Sequence, residues 1–175
     1  MLAGVLIAAT GCGSTNGGTA TPATTTDKAA ATAALWDPCT QISDEVLRQV
    51  GVDPSTRSNT IAGVPNVEGW KLCSWHDKPS RWDYTLGVWS TSHTIDESKK
   101  DGNNIDFADI VIAGRQGIQF RRAEDRNDEI CYLSFPSGGQ SIDISIYKTV
   151  LTKDNRGPCV IAAAAADVLV PILPK

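Results

Sequence analysis

The sequence predicts an α+β fold: one domain with an antiparallel sheet of about five to six strands, an N-terminal and a C-terminal helix packed on one face, and two disulfides. Three observations carry that expectation. Apolar residues alternate with period two in Trp70-Lys71-Leu72-Cys73-Ser74-Trp75, in Tyr84-Thr85-Leu86-Gly87-Val88-Trp89 and again over residues 141–148, the mark of half-buried strands. The firm helix signals stand at the two ends of this run, without the regular strand–helix alternation of a parallel sheet. Cys39, Cys73, Cys131 and Cys159 fall within the same region and are even in number.

Taken in order, the chain starts with MLAGVLIAATG, an uncharged stretch followed by Cys12. Small residues at Ala9-Thr10-Gly11 ahead of a cysteine are the arrangement of a bacterial lipobox, although Ala9 stands where Leu is usual. Residues 1–11 therefore read as a truncated lipoprotein signal peptide, with Cys12 the residue that receives lipid. Eleven apolar residues are too few to span a bilayer, which takes ~20. Residues 12–34, rich in Gly, Thr and Ala, read as a disordered tether, because they bury too little surface to offset their conformational entropy. As a flexible coil this tether has a reach of ~25 Å.

Residues 35–175 form the expected domain. A helix is predicted over 44–50: Ser43 is an N-cap, Asp44 and Glu45 suit the positive end of the dipole, and Gly51 is the stop. Val46, Leu47 and Val50 form its buried stripe, with Ile42 a staple just ahead of the cap. Pro54, Gly63, Pro65 and Gly69 make the next segment mostly loop, with a short strand near Ile61. The strands beginning at Trp70 and Tyr84 follow, joined through Pro79-Ser80. A weak helix over 95–101 precedes strands at 109–113 and 116–122, which turn at Gly114. A hairpin then pairs 130–135 with 141–148, placing Ile142, Ile144 and Ile146 on one face and Asp143, Ser145 and Tyr147 on the other. The last helix opens at Pro158, where a missing N–H costs nothing, and runs to about residue 170. Its five alanines at 162–166 give a thin layer that lets it approach a sheet closely.

The chemistry in this chain is sparse. A net charge of −4 with no Lys/Arg cluster argues against a nucleic-acid partner. Four domain cysteines without a tight pair disfavour zinc and favour disulfides. Three pairings are open; Cys39–Cys73 with Cys131–Cys159 is favoured, since each ties a helix start to a nearby strand and closes a loop of roughly 30 residues, worth ~3–4 kcal/mol. Of the two histidines, neither His76 nor His93 has a partner at metal-ligand spacing. Ser74, His76 and Asp77 crowd one strand, whereas triad residues converge from separate segments, and no nucleophile-elbow motif is present. The mixed charges of 121–129 read as a solvated turn rather than a calcium loop, because three arginines would repel the ion. No phosphate-binding glycine motif occurs, and no cofactor or metal is expected. The five tryptophans all fall between residues 36 and 89. Trp75 and Trp89 are expected in the core, and Trp70 and Trp82 form a possible binding surface.

Asp37-Pro38-Cys39 before a helix ending at Gly51, then Cys73-Ser74-Trp75, Gly114-Arg115 before a strand, and Cys131 and Cys159 near the end stand behind the lipobox and tether. This ordered set resembles a large family of actinobacterial lipoproteins known as domain of unknown function family 3558, over roughly residues 35–173. The resemblance implies an exported, membrane-anchored α+β domain in an envelope of mycobacterial type, and it carries over no active site. The expected function is that of a lipid-anchored module on the extracytoplasmic face of the cell membrane, not an enzyme, which binds an envelope protein or a lipid-like, apolar envelope molecule. The alternatives are an inhibitor or immunity-type surface lipoprotein with one protein partner, and a secreted hydrolase using His76 or His93.

Overall fold

The protein is described by a computed structural model covering residues 25–61, 63–65 and 67–175. The expected signal peptide, Cys12 and residues 12–24 of the expected tether lie outside the described residues. The remainder of that tether is not coil: Thr25–Ala34 forms helix α1. Its Ala-rich sequence has high helix propensity, and tertiary contacts hold it. The Gly69 N–H donates to Thr32 Oγ1 (2.7 Å), and Lys71 Nζ donates to the Ala33 and Leu35 carbonyls (2.8 and 2.7 Å), which places a cation on the negative end of the helix.

Two short helices follow. In α2, Pro38–Gln41, Asp37 is the N-cap and accepts the Cys39 N–H at 3.0 Å, while Pro38 opens the first turn. In α3, Asp44–Val50, Ser43 accepts the Val46 N–H and Gly51 ends the helix in the left-handed region at φ 92°, as its sequence signals predict. Ile42 and Leu47 are both buried, in the positions a hydrophobic staple requires.

The strands are β1 (Thr60–Ile61), β2 (Val64–Pro65), β3 (Trp70–His76), β4 (Tyr84–Thr91), β5 (Asn104–Ile112), β6 (Arg115–Arg122), β7 (Ile130–Ser137) and β8 (Gln140–Lys148). β1 and β2 pair only with each other, and the other six form one sheet in the order β3-β4-β8-β7-β6-β5. Every neighbouring pair is antiparallel. β5 begins five residues earlier than the alternation predicts, since a bulge between Ile105 and Ala108, with Asp106 at φ 55°, breaks the period of two.

Helix α5, Pro158–Leu169, covers one face of this sheet. Ile161, Ala162, Ala165, Ala166 and Leu169 are buried at three- and four-residue spacing and pack with Leu86, Val88, Leu133, Phe135, Ile142, Ile144 and Ile146. The Cys39–Cys73 bridge ties α2 to β3 and the Cys131–Cys159 bridge ties β7 to α5, with Cα–Cα distances of 5.0 and 5.1 Å. Among the described residues, the helix on the opposite face is α4, Ile95–Lys100, at one end. Its ends are defined by a capping box, in which Thr94 and Glu97 satisfy each other's backbone N–H groups.

Candidate functional site: a cleft on the uncovered face

Alternation along β4 and β8 decides what the uncovered face displays. Leu86 and Val88 turn toward α5, so Thr85, Gly87 and Trp89 turn away; likewise Ile142 and Ile144 enclose an outward Asp143. Register then sets neighbours. Trp89 lies opposite Leu72 on β3 and Asp143 on β8, and Asp143 lies opposite Ser134 on β7. Beside them Phe120 on β6 lies opposite Tyr132 on β7. With α4 as a wall, Trp89, Asp143, Phe120 and Tyr132 line a cleft of about 340 Å³, at the lower end of the range for small-molecule sites.

Aromatic side chains build its sides. Trp70 meets Trp89 edge-on (centroids 6.1 Å, 85°) and His93 at 5.6 Å, while Phe120 stacks on Tyr132 (5.0 Å, 8°). The Trp89 Nε1–H donates to Ser145 Oγ at 2.8 Å. The indole reaches that hydroxyl by passing over Gly87, where a Cβ would lie 2.7 Å from Nε1 and 2.6 Å from Ser145 Oγ. Ser134, Ser141 and Ser145 are buried small residues on the same face of the sheet.

Asp143 lies on that floor and is 5% exposed. Its Oδ1 has no hydrogen-bond partner among the described residues, and neither has the adjacent Ser134 Oγ. Burial pushes the Asp143 carboxyl up from 3.8 to about 6, with the Ser134 and Ser141 hydroxyls acting in the opposite direction. The basic groups of the lining are engaged elsewhere. Arg122 bonds Asn104 Oδ1 at 2.8 Å and pairs with Glu124 at 3.1 Å and Asp101 at 3.4 Å, and His93 faces Glu97 at 3.7 Å.

The structure separates the two tryptophans that the sequence groups as one surface. Trp70 is in the cleft wall at the start of β3; Trp82 lies past the other end of that strand, stacked on His76 (4.0 Å, 9°). Exposed Val150 and Leu151 flank Trp82 in a second, open depression. Trp75 is fully buried as expected, whereas Trp89 is not a core residue, because it alternates with the inward Val88. His76 Nδ1 pairs with Thr85 Oγ1 at 2.9 Å rather than with Asp77, which instead accepts the Asp83 N–H at 2.8 Å and shapes the β3–β4 turn. In the 121–129 segment Asp125 is not a solvated charge. Its side chain is buried and accepts the Glu129 and Ile130 N–H groups at 3.0 and 2.9 Å, with Arg121 beside it at 3.5 Å. Burial alone would raise its carboxyl, but those N–H groups and Arg121 hold it below the usual carboxylate range.

Asp143 is the residue that sequence reading passes over as a site. The signal was present: an ionisable side chain set between isoleucines in a strand of clean alternation, on the face opposite those isoleucines.

No curated protein and no solved structure matches the chain. The family described as protein of unknown function (DUF3558) matches residues 7–171. With nearly the whole chain inside that match, the chain belongs to this family.

Proposed function

We propose that this chain is an exported, lipid-anchored envelope lipoprotein, acylated at Cys12, whose domain is a non-catalytic binding module that holds a small molecule in the cleft of its uncovered face. The observation that supports it most is the cleft itself: aromatic walls around a buried carboxylate that lacks a partner. Such a carboxylate lowers stability unless something satisfies it, which is what a binding site accepts in exchange for affinity. The anchoring part is supported by the lipobox pattern at Cys12 and by the disulfides, which use all four domain cysteines and leave Cys12 as the fifth. The carboxylate floor narrows the expected apolar molecule to one with a polar end.

A labelled fatty acid should enter the wild-type protein expressed in a lipoprotein-processing host, and Cys12→Ala should abolish labelling and release the protein from membranes. A soluble, unlabelled wild type would overturn the anchoring. The second reading, an inhibitor or immunity-type surface lipoprotein, is favoured by the patch of Trp82, Val150 and Leu151, which are 38%, 77% and 87% exposed. Crosslinking in envelope extracts to one tight protein partner, lost in Leu151→Asp, would favour it over the first.

A further inference from the structure

The cleft floor states what its occupant must supply. Asp143 enters the cleft lining and its Oδ1 lacks a hydrogen-bond partner among the described residues, while Ser134, opposite it across the β7–β8 register, lies beneath the lining with its hydroxyl favouring the ionised carboxylate. A bound molecule that meets this carboxylate must donate a hydrogen bond to it. The charge must also be met. The lining holds three carboxylates, Glu97, Asp101 and Asp143, against Arg122 and His93, which already face other acceptors. An anion would be repelled here. A cation would find Asp143 below it and the rings of Trp70, Trp89, Phe120 and Tyr132 around it, the surroundings that favour organic cations over hydrated metal ions.

We infer that the cleft receives a primary ammonium group carried on a small apolar or aromatic body, with its N–H donors directed at the Asp143 carboxylate and its body against the tryptophans. This rests on the reading of the cleft as a binding site. The ammonium supplies three donors and a full positive charge, whereas a quaternary amine supplies the charge alone and an alcohol a single donor. The burial that raises the Asp143 carboxyl is relieved when a cation seats beside it, so part of the binding free energy comes from removing an existing penalty. A volume of about 340 Å³ suits a single small amine and not a folded segment of another protein.

The test uses the purified full-length chain and three probes of one shape: phenethylamine, 2-phenylethanol and phenylacetate. Binding at pH 7.5 is read by calorimetry and by the fluorescence of the cleft tryptophans. Phenethylamine should bind at least about ten-fold tighter than 2-phenylethanol, as expected for a charge-assisted contact in a desolvated site, and phenylacetate should be weakest. Asp143→Asn should reduce the amine-to-alcohol ratio to near one, a ratio that needs no assumption beyond a folded variant. Equal binding of amine and alcohol to the wild type would overturn the ammonium assignment and leave the cleft a binding site. Failure of all three probes to bind would overturn the cleft reading and the assignment with it.

Discussion

Asp143 exerts its effect on stability through one proton. Its carboxyl titrates at 3.8 when unperturbed and at about 6 in the fold, where burial disfavours the charge. Between those values the native state holds a proton that the unfolded chain has released, so the stability from this group is fully present below pH ~4 and is lost as pH rises through ~6. A shift of about two units corresponds to a penalty on the order of 3 kcal/mol at neutral pH. Asp143→Asn has no charge to desolvate. It should therefore be more stable than wild type at pH 7.5 by roughly 1–3 kcal/mol, with the gap closing toward pH 4. Denaturant melts at the two pH values measure this; equal stability at pH 7.5 would show that the carboxylate is better solvated than its 5% exposure indicates. Asp125 is the opposite case, a buried carboxylate whose partners hold it ionised. Its contribution is present above the unfolded carboxylate range and is lost as pH falls through its lowered value.

At the scale of elements, most of the sheet and its covering helix were legible because the apolar period is clean. Ile142, Ile144 and Ile146 define one face, and Ser43 and Gly51 bound α3 as their chemistry requires. Two things escaped for stated reasons. The bulge at Asp106 interrupts alternation, so the first half of β5 reads as loop. Residues 25–34 lack apolar periodicity, and their helix is held by Thr32 and by Lys71 from a distant strand, contacts that no local pattern encodes. The site was half legible: Trp70 stood out by type, but Trp89 and Asp143 required following alternation through to the face it leaves bare. The favoured disulfide pairing is the one in the structure, and it fastens helices to strands rather than strands to each other. Replacing Cys131 and Cys159 by Ser together should cost ~3–4 kcal/mol in the chain-entropy model, seen as a lowered melting temperature, and the wild type in reductant should melt lower still, since Cys39–Cys73 is reduced as well.

At the scale of the whole molecule the sheet has unequal edges. The outer side of β3 is partly covered: Ser58 and Ser74 exchange backbone hydrogen bonds at 2.9 and 2.8 Å, and Asp53 donates to the His76 carbonyl at 2.8 Å. β5 is largely exposed, and its bulge and its Asp106–Arg121 pair are features that blunt an open edge. Native-state hydrogen exchange should therefore rank the strands, with β5 amides exchanging fastest and those of β4 and β8 near the global limit. Uniform protection across the six strands would contradict this ranking.

The seam between β4 and β8 joins Tyr84 to Lys148 and Thr91 to Ser141, residues far apart in sequence, whereas β3–β4, β5–β6 and β7–β8 are local hairpins. Each disulfide lies within one side of that seam, Cys39–Cys73 before it and Cys131–Cys159 after it, so neither shortens the loop that the seam must close. Contact order therefore predicts that joining the two halves, the topologically distant pairing, is the slow step of folding. Trp89 and Asp143 face each other across this seam. The cleft is thus complete only when the halves join, and a chain with both bridges formed but its halves apart would be correctly crosslinked and lack it.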